Sequence, residues 1–77
     1  MGKPVPQHRM KKGYAAVREM LPNVSWLTAY SIVSKTAHMI RKDSPFDIIG
    51  ATSQLDKDLV QLDLTGRYRL LAELCTD

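Results

Sequence analysis

Few side chains in this 77-residue sequence could do chemistry. His8 and His38 are its only histidines and Cys75 its only cysteine. A metal centre needs three or four such ligands at short, fixed spacings, and no stretch supplies them. Asp56 and Asp58 stand two residues apart, which on a helix turns their carboxylates to different sides, so they cannot share a proton-transfer site. No glycine-rich loop would cradle a phosphate and no nucleophile elbow occurs. Cys75 falls on an apolar helical position, where an inert buried thiol is expected. His38 reads as a surface residue. The expectation is a non-enzymatic protein with no cofactor and no metal.

Recognition chemistry is what remains. Residues 1–42 carry eight Lys and Arg against Glu19 alone, whereas residues 43–77 carry three against seven acids, giving the net +3. A chain polarised in this way presents a basic pole, which attracts nucleic acid or acidic protein surfaces. Arg9, Lys11, Lys12, Thr28, Ser31, Lys35, His38, Arg41 and Lys42 are the candidate contacts for such a target.

The elements that must position these groups are helical. Residues 1–9 include Pro4 and Pro6 with Val5 as the one packing residue, and read as a flexible basic arm ahead of a single helical domain over 10–77. From Met10 the apolar spacing turns helical, with Tyr14, Val17 and Leu21 at i, i+3 and i+7. Pro22 and Asn23 end that helix, because proline cannot continue it and restricts the residue before it.

Ser25 then caps a second helix over 25–42. At about 100° per residue, Trp26, Ala29, Tyr30, Val33, Ala37 and Ile40 share one arc, the expected core stripe. Thr28, Ser31, Lys35, His38 and Lys42 lie opposite it as a basic, hydroxyl-bearing face. Ile32 and Met39 form a smaller apolar edge beside that polar stripe.

Further on, "SPFDIIG" has the cap residues of one to two helical turns, and "SQLDKDLVQL" pairs a capping Ser53 and Asp56 with Leu55, Leu59 and Leu62. A last helix starts near Asp63 or Thr65 and includes Gly66, a weak helix former. No strand candidate competes with these patterns. The fold class expected is all-α, a small bundle of four to five short helices. Its expected core is Tyr14, Val17, Leu21, Trp26, Tyr30, Val33, Ile40, Phe46, Ile49, Leu55, Leu59, Leu62, Tyr68 and Leu71.

The last helix carries more apolar surface than one packed face needs. Leu64, Tyr68, Leu71, Ala72 and Cys75 mark one side, and Leu70 and Leu74 widen the arc to about 200°, twice that of an ordinary surface helix. Either the helix is central and clasped on both sides by the chain itself, or, with the first group taken as core, Leu70 and Leu74 are candidate partner-binding residues, joined by Ile32 and Met39.

Two functions follow. The first is a small regulatory protein acting by protein–protein interaction, with a larger regulator in transcription control (antirepressor, antiactivator or antitoxin fashion) or a second copy as its partner. The alternative is a DNA-binding helix-turn-helix regulator that uses the 25–42 helix. A net charge of +3 is modest for an independent DNA binder. With one cysteine no intramolecular disulfide can form, and no segment approaches the ~20 apolar residues of a membrane span. A cytoplasmic location without membrane contact is expected.

Overall fold

In a computed structural model, the chain is all-helical, with no strand among the described residues, which are 4–42, 46–50 and 57–75; Phe46 and Asp47 are described by their backbone alone. Three longer helices dominate: α1 (Gln7–Met20), α2 (Trp26–Arg41) and α4 (Leu64–Cys75). Between the last two lie a single helical turn, α3 (Phe46–Ile49), and one 3-10 turn at Leu59–Gln61.

Helix α1 begins three residues earlier than the apolar pattern suggests. Pro6 sits at its N-cap with extended backbone, and its carbonyl accepts from the amides of Arg9 and Met10, both at 3.0 Å. Proline has no amide to satisfy there, so the position suits it. His8 and Arg9 are therefore helical, and Val5 packs against the core instead of belonging to a solvated arm. At the other end Arg18 Nη1 donates to the Val24 carbonyl at 2.9 Å and ties α1 to the Pro22-Asn23 turn.

Ser25 caps α2 as its residue type demands, its Oγ accepting from the Thr28 amide at 3.2 Å. Ser25→Ala is expected to lower stability by about 1 kcal/mol, read as a shift of the urea midpoint at unchanged slope. Asp63 does the same for α4, accepting from the Gly66 amide at 2.7 Å through Oδ1.

Packing centres on α1. Gly13 faces α4, where an added Cβ would stand 2.7 Å from Leu74 Cδ2 and 3.3 Å from Leu70 Cδ1. Gly66 answers it from α4, where a Cβ would meet Met20 Sδ at 3.3 Å. The two glycines let the helices approach closely, which is what Gly66 gives in exchange for its poor helix propensity. Gly13 lies beside the C-terminal half of α4 and Met20 beside its first turn, so α1 and α4 run antiparallel. Ile48 and Leu59 add their side chains to the core formed by Val17, Ala29, Ile32, Val33, Leu62, Leu70 and Leu74.

Val17, Val33, Leu59 and Leu62 from the expected core are buried, and Tyr14, Leu21, Ile40, Ile49 and Leu71 are half-buried. Leu55 and the Phe46 side chain lie outside the described residues. Trp26, Tyr30 and Tyr68 are corrections: they are 61, 57 and 57 % exposed. The expected helix over 53–62 lies partly outside the described residues. Its described end is a turn and the 3-10 segment, closed by Leu62 in extended conformation.

Both α2 and α4 are rotated relative to the sequence expectation. In α2 the buried residues are Ala29, Ile32, Val33 and Thr36, an arc centred about 60° from the expected one. The hydroxyl of Thr36 is satisfied by donating to the Ile32 carbonyl at 2.8 Å. The rotation has a cause: α2 packs α1 on one side and the 57–62 segment on another. Ser31 Oγ and Lys35 Nζ both reach Asp58 Oδ2 there, at 2.9 and 3.2 Å.

In α4 the buried positions are Gly66, Arg67, Leu70 and Leu74. Leu70, Leu74 and Ile32, expected to face a partner, are 0, 3 and 0 % exposed and form the core itself. Met39 is half-buried against that core.

Candidate functional site

The rotation of α2 creates the most distinctive surface of the molecule. With the buried arc of this helix turned toward Ile32 and Thr36, its large side chains at Trp26, Leu27 and Tyr30 stand in solvent. Trp26 and Tyr30 are four apart and so lie one above the other on one face. Continuing toward the C-terminus of α2, that side of the helix carries Ser34, Ala37, His38 and Arg41.

A groove runs between this face and α1. Its wider part, about 330 Å³, lies where Gln7 and Met10 approach Ala37, His38 and Arg41. Its narrower part, about 160 Å³, lies where Met10, Lys11 and Tyr14 approach Tyr30 and Val33. The N-terminal end of α1 therefore lies along the C-terminal end of α2. The two helices form an antiparallel hairpin, and a helix-turn-helix instead crosses its helices at about 90–120°.

Val33 closes the floor of the groove, while Met10 and Tyr14 are half-buried beside it. Among the described residues lining it there is no acid, and the cations Lys11 and Arg41 are exposed at its edges. Lys12 and Lys42 are exposed nearby in sequence. Glu19, the one acid of residues 1–42, is engaged elsewhere by Arg69 Nη2 at 3.1 Å.

The candidate contacts thus divide. Lys11, Lys12, His38, Arg41 and Lys42 are exposed on the α1–α2 pair. Arg9 is half-buried, with its Nε shielded from solvent. Thr28 is hydrogen-bonded with the Ser25 cap, and Ser31 and Lys35 are turned to Asp58. The middle of the polar face of α2, at Ser31 and Lys35, is therefore where the 57–62 segment docks. Asp58 is 27 and 23 residues away from these two partners, which no helical wheel can anticipate.

Trp26 and Tyr30 are surface residues that the sequence pattern assigns to the core by their apolar bulk, and Leu27 beside them falls in neither of its groups. Their signal was available in another form: Tyr and Trp carry a polar tip and are over-represented where a surface is covered by a partner. A second exposed apolar strip lies on α4, with Leu64 51 % and Tyr68 57 % exposed and Ala72 and Cys75 along the same side.

A third hollow, of about 400 Å³, lies between the end of α1 and the start of α4 and is lined by Leu21, Leu62, Asp63 and Arg69 among others. No group of three or more side chains suited to hold a metal occurs among the described residues, and none of their helices is long and apolar enough to cross a membrane. Compared with known proteins, the chain matches no family model, no curated protein and no solved structure.

Proposed function

We propose that this chain is a small non-enzymatic regulatory protein that acts by protein–protein interaction, with the exposed face of α2 as its contact surface. The observation that carries this reading is the exposure of Trp26, Leu27 and Tyr30 side by side. Aromatic anchors of this kind dominate binding energy at protein interfaces. A 77-residue chain has little protein with which to cover them itself.

The partner is a larger regulator in transcription control, on the analogy of antirepressors, antiactivators and antitoxins, which are also small chains that act on larger regulators. The finer architectural reading, a bundle of four to five helices in the cytoplasm, belongs to the same proposal.

The double change Trp26→Ala, Tyr30→Ala tests it. Both side chains are mostly in solvent, so the variant is expected to keep its helix content and lose less than about 1 kcal/mol of stability. Capture of a partner from nuclease-treated host extract is expected with the wild-type chain and lost with the variant. Equal capture by both would sink the reading.

The second reading is nucleic-acid binding, favoured by the exposed Lys11, Lys12, Arg41 and Lys42. It predicts a steep fall of affinity with salt. The engagement of Ser31 and Lys35 by Asp58 and the antiparallel α1–α2 pair weigh against the helix-turn-helix form of it. No retardation of any DNA by the wild-type chain at low salt would remove it.

A further inference from the structure

We infer that the groove between α1 and α2 accepts an acidic amphipathic helix of a partner protein, which would complete a four-helix arrangement. The inference rests on the protein-binding reading above and specifies the chemistry of the partner. Helix α1 already has α4 packed on one side, through Gly13. Lys11 is about 160° round the helix from Gly13 and faces the groove, so the two sides of α1 are used differently. One side is filled by the chain's own helix. The other is open.

The shape suits a helix. The groove follows α2 from Tyr30 to Arg41, eleven residues or about 16 Å, which is three helical turns. Its floor at the Tyr30 end is Met10, Tyr14 and Val33, and at the other end Val5 and Ala37 stand among Gln7, Ser34 and His38. Apolar anchors spaced i, i+3 or i+4, and i+7 on an incoming helix would thus meet apolar atoms chiefly at the Tyr30 end and mixed ones beyond it. Two antiparallel helices side by side present the ridges into which a further helix packs.

Charge complementarity names the occupant. The edges are held by Lys11 on α1 and by His38 and Arg41 on α2, with no acid among the described lining residues. Carboxylates flanking the apolar stripe of the partner helix would meet cations on both edges. A basic helix would be repelled from both. A single-stranded nucleic acid also carries negative charge, but it binds by stacking bases on open aromatic faces. Here the floor is aliphatic at Met10 and Val33 and Tyr14 is half-buried, which leaves Tyr30 as the one open ring among the described lining residues, too few for successive bases to stack along the groove.

The test uses a displayed library of random 16-residue peptides selected on the full chain, with enriched sequences then synthesised and titrated. Enriched peptides are expected to carry Asp and Glu on both flanks of an i, i+3/i+4, i+7 apolar stripe. Their Kd is expected to rise about tenfold against Lys11→Glu with Arg41→Glu, and to rise similarly against Tyr30→Asp. Leu64→Asp should leave binding unchanged, and circular dichroism should show wild-type helix content in each variant.

Basic or neutral winners, or acidic winners indifferent to Lys11→Glu and Arg41→Glu, would overturn the inference. Winners lost only on Leu64→Asp would overturn the groove while leaving a protein-binding role in place. No enrichment, with binding of a single-stranded oligothymidylate that Tyr30→Asp abolishes, would overturn both.

Discussion

Replacing Leu70 and Leu74 together by serine is expected to unfold the chain. Both side chains are buried in the core, and both meet α1 at Gly13, where the two helices come closest. Truncating one buried leucine costs about 2–5 kcal/mol, because transfer energy is lost and a cavity remains. A serine hydroxyl placed there without a partner adds to that cost. Two such losses approach or exceed the whole stability of a domain this size, about 4–12 kcal/mol at the usual value per residue. The expected measurement is a loss of most far-UV circular dichroism at 25 °C and no cooperative melt. The same change at Leu64 and Tyr68, exposed on the opposite side of α4, should leave the melt nearly in place. Native helix content in the Leu70→Ser, Leu74→Ser variant would show that α4 packs by its other face.

That pair of outcomes bears on how far the sequence could be read. Helix ends are set by local chemistry, and those marked by a breaker or a capping side chain were legible, whereas the start of α1 at Gln7, with Pro6 as its cap, was not. Pro22-Asn23 terminates α1, Ser25 caps α2 and Asp63 caps α4, each through atoms within a few residues. The phase of each helix is set by distant chain and was not. In α4 the apolar arc is so wide that hydrophobicity cannot choose between Leu64–Tyr68 and Leu70–Leu74. Gly66, facing Met20 across the helix pair, makes that choice, since close approach needs the residue without a Cβ. The surplus of apolar surface was real, and it lies at Leu64 and Tyr68.

The candidate site divides along the same physical line. Lys11, Lys12, His38, Arg41 and Lys42 are exposed as their charge suggests, since an ionised group stays in water unless something distant repays its burial. Arg67 has such a group in a set of carbonyls, while Ser31 and Lys35, only partly covered, are drawn to Asp58. Trp26 and Tyr30 err in the other direction. A hydrophobicity scale assigns a large ring to the interior, yet on α2 the interior positions are filled by Ala29, Ile32, Val33 and Thr36. Smaller side chains let α1 and the 57–62 segment both approach the helix, and the rings are left on the outside.

Arg67→Met is the other substitution expected to act strongly, and it bears on the segment between α2 and α4. Arg67 is 9 % exposed, an unusual burial for a guanidinium. Its Nε donates to the Leu62 carbonyl at 3.1 Å, and its Nη1 donates to the carbonyls of Ile48 and Ile49 at 3.3 and 3.0 Å. One side chain of α4 thus holds the end of α3 and the residue that closes the 3-10 turn. These carbonyls lie where a short helix and a turn leave acceptors without internal partners. Methionine keeps much of the apolar stem and removes every donor, so the variant separates hydrogen bonding from packing. A buried acceptor left unsatisfied costs about 1–3 kcal/mol, and more than one is released here, so a loss of about 2–5 kcal/mol is expected. Arg67→Lys should recover only part of it, because an ammonium is a compact group without the planar fork that spans separate carbonyls. Urea unfolding gives the total. Amide exchange then locates it, with protection expected to fall first at Ile48, Ile49 and Leu62. An Arg67→Met midpoint within 1 kcal/mol of wild type would mean that Ile48 and Leu59 hold this segment by packing alone.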